Sequence, residues 1–140
     1  MVYELQHEME SIDESECWDL LAMQELGRLA VSVAGNPDIF PVNYVVHEGR
    51  IFFRTAAGSK LASLAVNAAV AFEADDHSDA TNIAWSVVVT GYSRIVDNDD
   101  EAVELENLPL RPWFISEKAH FVEIEVAQIS GRRFYAAGRE

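Results

Sequence analysis

The chain has 140 residues, 49% of them apolar, a single cysteine and a formal net charge of −14. That length gives one domain with a real core and is too short for two, and the even spread of apolar residues excludes an intrinsically disordered chain. Ten basic residues scattered among 24 acidic ones exclude nucleic acid as the expected partner, because binding a phosphate backbone draws on clustered Lys and Arg. No apolar run reaches the length of a membrane span, so no membrane association is expected. The acidic start, "MVYELQHEMESIDESE", lacks the basic and apolar regions of a signal peptide. With Cys17 alone there is no intramolecular disulfide, which fits a reducing cytoplasm as the expected location.

The first element is an amphipathic helix over "SIDESECWDLLAMQELG". Ser11 or Asp13 can cap it, Glu14 or Glu16 completes a capping box, Trp18, Leu21 and Ala22 form its stripe, and Gly27 is the expected stop. "RLAVSVA" alternates with strand period, Leu29, Val31 and Val33 on one face. "GNPD" reads as a turn, and "IFPVNYVVH" as a β-branched and aromatic strand. "EG" at 48–49 reverses the chain into "RIFFRTA", giving a hairpin.

After Gly58 the period becomes helical, with Leu61, Leu64 and Ala65 on a short helix ending near Asn67. "AVAFEAD" is the next strand, "DHSDATN" a loop and "IAWSVVVTGYSRIVD" a long strand. A helix over "DDEAVELENL" can be capped by Asp97 or Asn98. In "AHFVEIEVAQI", Phe121, Glu123 and Glu125 face opposite to Val122, Ile124 and Val126. The sum is about six strands and three short helices without regular βαβ alternation, which favours an antiparallel sheet closed into a barrel. The expected class is mainly β, with helices at the barrel ends.

The stretch "RTAAGSKLASL", residues 54–64, carries one of the two lysines of this acidic chain. If a strand ends before Gly58 and a helix starts after it, Ser59 sits at the helix N-cap. The first turn then offers unpaired N–H groups to an anion. Thr55 and Ser59 add hydroxyls, and Arg54 and Lys60 add charge-assisted contacts. A capped helix flanked by two solvated cations is the plainer reading of the same residues. The order Gly-Ser-Lys is not that of a P-loop, and no G-x-G-x-x-G opens a helix. The histidines lack i, i+4 metal spacing, and "DDHSD" at 75–79 reads as a polar loop, so no metal is expected. Cys17, without a basic neighbour in sequence, reads as a buried structural thiol. No G-x-S-x-G elbow is present, and no catalytic residue emerges. No residue is assigned to proton transfer; His47 and Tyr44 are candidates only. Trp85 and Trp113 read as core residues by default. A chain with an anion clamp and few titratable groups in its motifs fits delegation of chemistry to a cofactor.

Taken in order, "LGRLAVSVAGNPDIFPVNYVVHEGRIFFRTAAGSKLASL", "VAFEAD" and "WSVVVTGYSRIV" resemble the flavin-binding split β-barrel family related to pyridoxamine 5′-phosphate oxidase. The resemblance runs over roughly residues 14–133, through "SGRRF". It implies a six-stranded antiparallel split β-barrel with a few short flanking helices, and a homodimer holding FMN at the subunit interface. By the same resemblance Thr55, Ser59 and Lys60 hold the flavin phosphate with Arg54 as helper. Pro41, Val42, Asn43 and Tyr44 run along the isoalloxazine ring and offer it backbone groups. Trp85 and Ser86 approach the ring or ribityl chain, and Trp113 reaches the partner's flavin. "PVNYVV" lacks the basic residues of the oxidase itself, and "ISGRRFYAAGRE" lacks its C-terminal tryptophan and arginines. The chain therefore resembles the uncharacterised relatives more than the oxidase. The implied function is an FMN-dependent oxidoreductase acting on a small molecule. The alternatives are a deazaflavin-dependent reductase, whose anionic tail would call on Arg50 and Arg132 or Arg133, and a non-enzymatic flavin-binding module.

Overall fold

The computed structural model describes residues 9–56, 60–64, 68–97, 99–108 and 119–135. In chain order the elements are β1 (Met9–Ile12), α1 (Glu14–Ala22), β2 (Leu26–Val33), β3 (Asn36–His47), β4 (Arg50–Ala56), α2 (Lys60–Leu64), β5 (Ala68–Ser78), β6 (Ile83–Ile95), α3 (Asp99–Glu106) and β7 (Ala119–Tyr135). The strands form one sheet in the order β1-β7-β4-β3-β2-β5-β6, and β6 returns to pair with β7. Strands β2 to β7 thus close a six-membered antiparallel ring, the expected barrel. The sheet has seven strands because β1 adds to it, running from Met9 opposite Phe134 to Ile12 opposite Gly131.

That extra strand corrects the reading of the N-terminal segment. Ser11 and Ile12 belong to β1, and Asp13 caps α1, its carboxylate accepting the Glu16 N–H at 2.8 Å. Cys17 and Leu21 are the fully buried residues of α1, whereas Ala22, expected in the stripe, is exposed. Cys17 is the buried thiol expected. Burial first, then the carboxylates of Asp13, Glu16 and Glu14, pushes it up from the ordinary thiol range. Gly27 does not stop the helix. It lies inside β2, where a Cβ would stand 2.3 Å from the Phe72 ring, so its small size serves packing between β2 and β5.

Both short hairpins use two-residue turns with positive φ at each position: Ala34 and Gly35 (51° and 80°), and Glu48 and Gly49 (52° and 70°). That geometry matches the right-handed twist of the flanking strands. The first turn shares only Gly35 with the expected "GNPD", so Asn36 and Pro37 already belong to β3, Pro37 opposite Ser32. Strand β5 also runs on through Ser78, opposite Ile83, so "DDHS" is strand rather than loop. Gly58, Ala65, Asn67 and Asn98 lie outside the described residues.

Alternation along the strands sends one set of side chains into the barrel and the other to its outside. Leu29, Val31, Val42, Tyr44, Ile51, Phe53, Phe72, Val87, Val89, Val122 and Ile124 fill the barrel. On β4 the opposite phase carries Phe52 outward, where exposure would forfeit about 2–3 kcal/mol of apolar burial. Helix α3 covers it: Phe52, Val96, Leu105 and Phe121 form a second cluster outside the ring, with Val45 and Leu108 against it.

Strand β7 holds the ring together. On one edge, residues 119–124 ladder with β4 and residues 131–134 with β1. Between these ladders the same edge borders a groove of about 640 Å³ lined by Trp18, Gly49, Gln128 and Ile129 among others. The β6–β7 ladder shifts register there: Gly91 faces Val126 and Thr90 faces Gln128, leaving Ala127 as a bulge.

Candidate functional site

The segment "PVNY" is split by the strand's own period. Pro41 and Asn43 stand on the outer surface, Pro41 exposed and Asn43 half-buried. Val42 and Tyr44 point into the barrel at 5% and 2% exposure. The Tyr44 hydroxyl donates to the Leu21 carbonyl at 2.6 Å, and the ring meets Phe72 edge-on. Burial, followed by the Glu73 charge, pushes the phenol far above its ordinary pKa. Its side chain is a strut of the core and no proton donor to a ligand. The β3–β4 ladder spans His47 opposite Arg50 to Tyr44 opposite Phe53. Past that point β4 keeps its ladder with β7, which runs from Ile51 and sets Arg54 opposite Phe121, and β3 is paired with β2.

Arg54 points outward and is largely covered. Its guanidinium lies 4.7 Å from the centre of the Phe121 ring, and Nη2 reaches Glu106 of α3 at 3.3 Å. Its Nε is buried and has no hydrogen-bond partner among the described residues, an uncommon state for a buried donor. Thr55, the next residue, faces the interior at 7% exposure. Lys60 is exposed and sits 2.8 Å from Asp38 of β3. That hydrogen bond holds the Asp38 carboxyl below its ordinary value. Lys60 therefore ties α2 to the β3 segment preceding Pro41. Ser59 and Trp113 lie outside the described residues.

Trp85 and Ser86 sit at the start of β6. Trp85 is half-buried and packs on the barrel core. Ser86 faces out and donates to Glu73 at 3.0 Å. Glu73 in turn holds Arg28 at 2.8 Å, and Arg28 stands opposite Pro41 across the β2–β3 ladder. Pro41, Arg28, Glu73 and Ser86 therefore lie along the outside of four adjacent strands. Arg28, Glu73, Asp38 and Glu106, which contact these candidates or stand opposite them, were not singled out in the sequence. Nothing in the local sequence marks any of them, and only the folded chain reveals their partners.

Glu73 yields a pH-dependent expectation. Burial first, then the adjacent Asp75 carboxyl, holds its pKa above the ordinary carboxylate value, with Ser86 and Arg28 pulling the other way. A carboxyl raised on folding is penalised when ionised. The penalty is complete above the folded pKa and absent below the unfolded one. Glu73→Gln should therefore raise the melting temperature relative to the parent at neutral pH, by a few degrees at most. The advantage should shrink as pH falls through the carboxylate range. Calorimetry at several pH values checks this, and a pH-independent difference would assign the effect elsewhere.

A closed antiparallel barrel with a split beside its longest strand is the split β-barrel architecture. The model of the pyridoxamine 5′-phosphate oxidase family matches residues 13–133. The FAD binding protein of Mycobacterium smegmatis is 41% identical, with a TM-score of 0.84, over 91% of this chain and 100% of that one. A conserved protein of unknown function from Corynebacterium diphtheriae is 35% identical, with a TM-score of 0.78, over 91% of this chain and 98% of that one. The uncharacterized protein Rv0080 of Mycobacterium tuberculosis is 35% identical over 94% of this chain and 90% of its own length. This chain belongs to the pyridoxamine 5′-phosphate oxidase family.

Proposed function

We propose that the chain binds a flavin nucleotide as a homodimer and serves as an oxidoreductase on a small-molecule substrate. The likeness to the FAD binding protein of M. smegmatis, 41% identical over its whole length, carries this reading. It favours FAD over the FMN that the family resemblance implies. The two share the riboflavin phosphate, so the same cations would serve both. Arg54, whose Nε is a buried donor without a described partner, and the exposed Lys60 suit that phosphate, with Asp38 and Glu106 yielding part of their hold. Pro41 and Asn43 suit the ring, through backbone and outward surface. The Thr55 side chain is buried, so the two cations carry the phosphate in this reading.

A bound flavin supplies the redox chemistry, and the chain's own residues bind and orient it. Neither candidate for proton transfer is placed for that task. Tyr44 is committed to Leu21 and His47 to Glu104 at 3.1 Å. The deazaflavin alternative has less support, because two of its three expected cations are each held by more than one carboxylate. Arg50 meets Glu48, Glu101 and Glu123, and Arg133 meets Glu10 and Glu16.

The dimer reading draws on the outer face of β3-β2-β5-β6. Ile39 is 65% exposed, Tyr92 60% and Val88 40%, with Ala30 and Ala71 between them in the ladder. These exposed apolar side chains, beside the Arg28–Glu73 pair, suit burial against a second copy. Sedimentation of the purified protein with FAD and with FMN, followed at the flavin absorbance, tests both parts together. The expected result is one boundary at twice the 15.6 kDa chain mass, carrying flavin, with FAD retained more tightly. Arg54→Ala and Lys60→Ala should each weaken binding at least tenfold. A protein that binds neither flavin overturns the reading. Flavin bound but reduced no faster than free flavin by any donor favours the non-enzymatic module.

A further inference from the structure

At the tip of the β3–β4 hairpin, three donor atoms from separate elements converge outside the barrel. His47 ends β3, Glu48 opens the turn, and Glu104 comes from α3, 57 residues beyond His47. The His47 Nε2 lies 3.1 Å from Glu104 Oε1 and 3.8 Å from Glu48 Oε1, and the three donor atoms all lie within 4.8 Å of one another. A tetrahedral zinc ion with bonds of about 2.0–2.2 Å spaces neighbouring donors about 3.4 Å apart. The two histidine–carboxylate gaps bracket that value.

The surroundings suit a cation. Arg50 approaches the other oxygen of Glu48, Oε2, at 3.7 Å, leaving Oε1 turned toward the histidine. A donor on the far oxygen of a ligating carboxylate is a common outer-shell arrangement that fixes its orientation. The positive charge of Arg50 is shared with Glu101 and Glu123, which offsets its repulsion of an ion. The His47 side chain is 23% exposed and the two carboxylates more so, so water can complete the coordination. We propose that His47, Glu48 and Glu104 bind one divalent transition-metal ion of the zinc class, clipping the hairpin tip to α3. The mixed nitrogen and oxygen donors select against Mg²⁺ and Ca²⁺, which take all-oxygen shells. This site is independent of flavin binding, and it explains why a carboxylate from α3 is aimed at a hairpin tip already carrying one.

The test uses untagged full-length protein stripped with EDTA, titrated with ZnCl2 by calorimetry and followed by thermal unfolding. Expected are one zinc ion per chain at micromolar concentration, a rise in melting temperature, and no comparable response to MgCl2. His47→Ala and Glu104→Gln, each checked for a native circular dichroism spectrum, should weaken zinc binding at least tenfold. His77→Ala removes an exposed histidine 3.9 Å from Asp79 and should leave binding unchanged. Absence of saturable uptake, or uptake surviving both His47→Ala and Glu104→Gln, overturns the proposal.

Discussion

Gly91→Ala is expected to abolish cooperative folding. A Cβ at this position would stand 2.0 Å from the Glu125 carbonyl oxygen, 2.9 Å from its carbon and 3.2 Å from the Val126 Cα. All three are backbone atoms, so no rotamer change relieves the clash. The strand that must move is β7, and it must move where the bulge at Ala127 adjusts its register to β6. That joint closes the ring. A shift of an ångström or more would break ladder bonds on both sides of it. The cost belongs to the exceptional class above about 4–5 kcal/mol, comparable with the whole stability of a small domain, about 5–15 kcal/mol. Soluble yield and a circular dichroism melt check this. A sharp transition near that of the parent would show that the bulge absorbs a methyl group.

The second large effect is expected at Glu123. Its side chain is 3% exposed between Arg50 at 3.3 Å and Arg94, which it also contacts. Glu101 of α3 bridges the same arginines at 3.2 and 2.9 Å. Breaking a buried ion pair by removing one partner costs about 3–5 kcal/mol, because the remaining charge is stranded. Here both arginines are 31% exposed, so water and Glu101 recover part of that. Glu123→Gln should cost about 2–3 kcal/mol by urea denaturation. Glu125→Gln, on a carboxylate 60% exposed and 3.5 Å from Arg94, should stay within about 0.5 kcal/mol. Equal losses at the two positions would mean that solvent screens the inner cluster as well.

Much of the fold was legible because strand period is a local signal. "RLAVSV" and "AHFVEIEVAQI" alternate and lie within β2 and β7. The outward face of Glu123 was also readable, but its burial was not, since the cover comes from α3. What failed locally depended on partners. "MESI" has no strong period of its own and becomes a strand because β7 presents an edge to it. Gly27 resembles a helix stop until Phe72 is seen above it.

At the candidate site the elements carrying Arg54 and Lys60 were placed correctly. The carboxylates that hold those cations, Glu106 and Asp38, come from segments whose pairing no spacing rule reveals. The cluster at His47 was invisible for the same reason.

The position of β7 in the chain has a consequence for synthesis. β7 is the last described strand and pairs with β4, β6 and β1, so β2 to β6 can ladder before it while the ring stays open and β1 waits for its partner. A chain emerging from the ribosome must carry the facing edges of β4 and β6 unpaired until residues 119–135 arrive. Such edges are templates for pairing with another chain, and closures over long sequence separations are slow. Helix α3 is made before β7 but packs partly on Phe121 of that strand, so it cannot finish docking early. Barrel and outer cluster therefore complete together, in the last steps of folding.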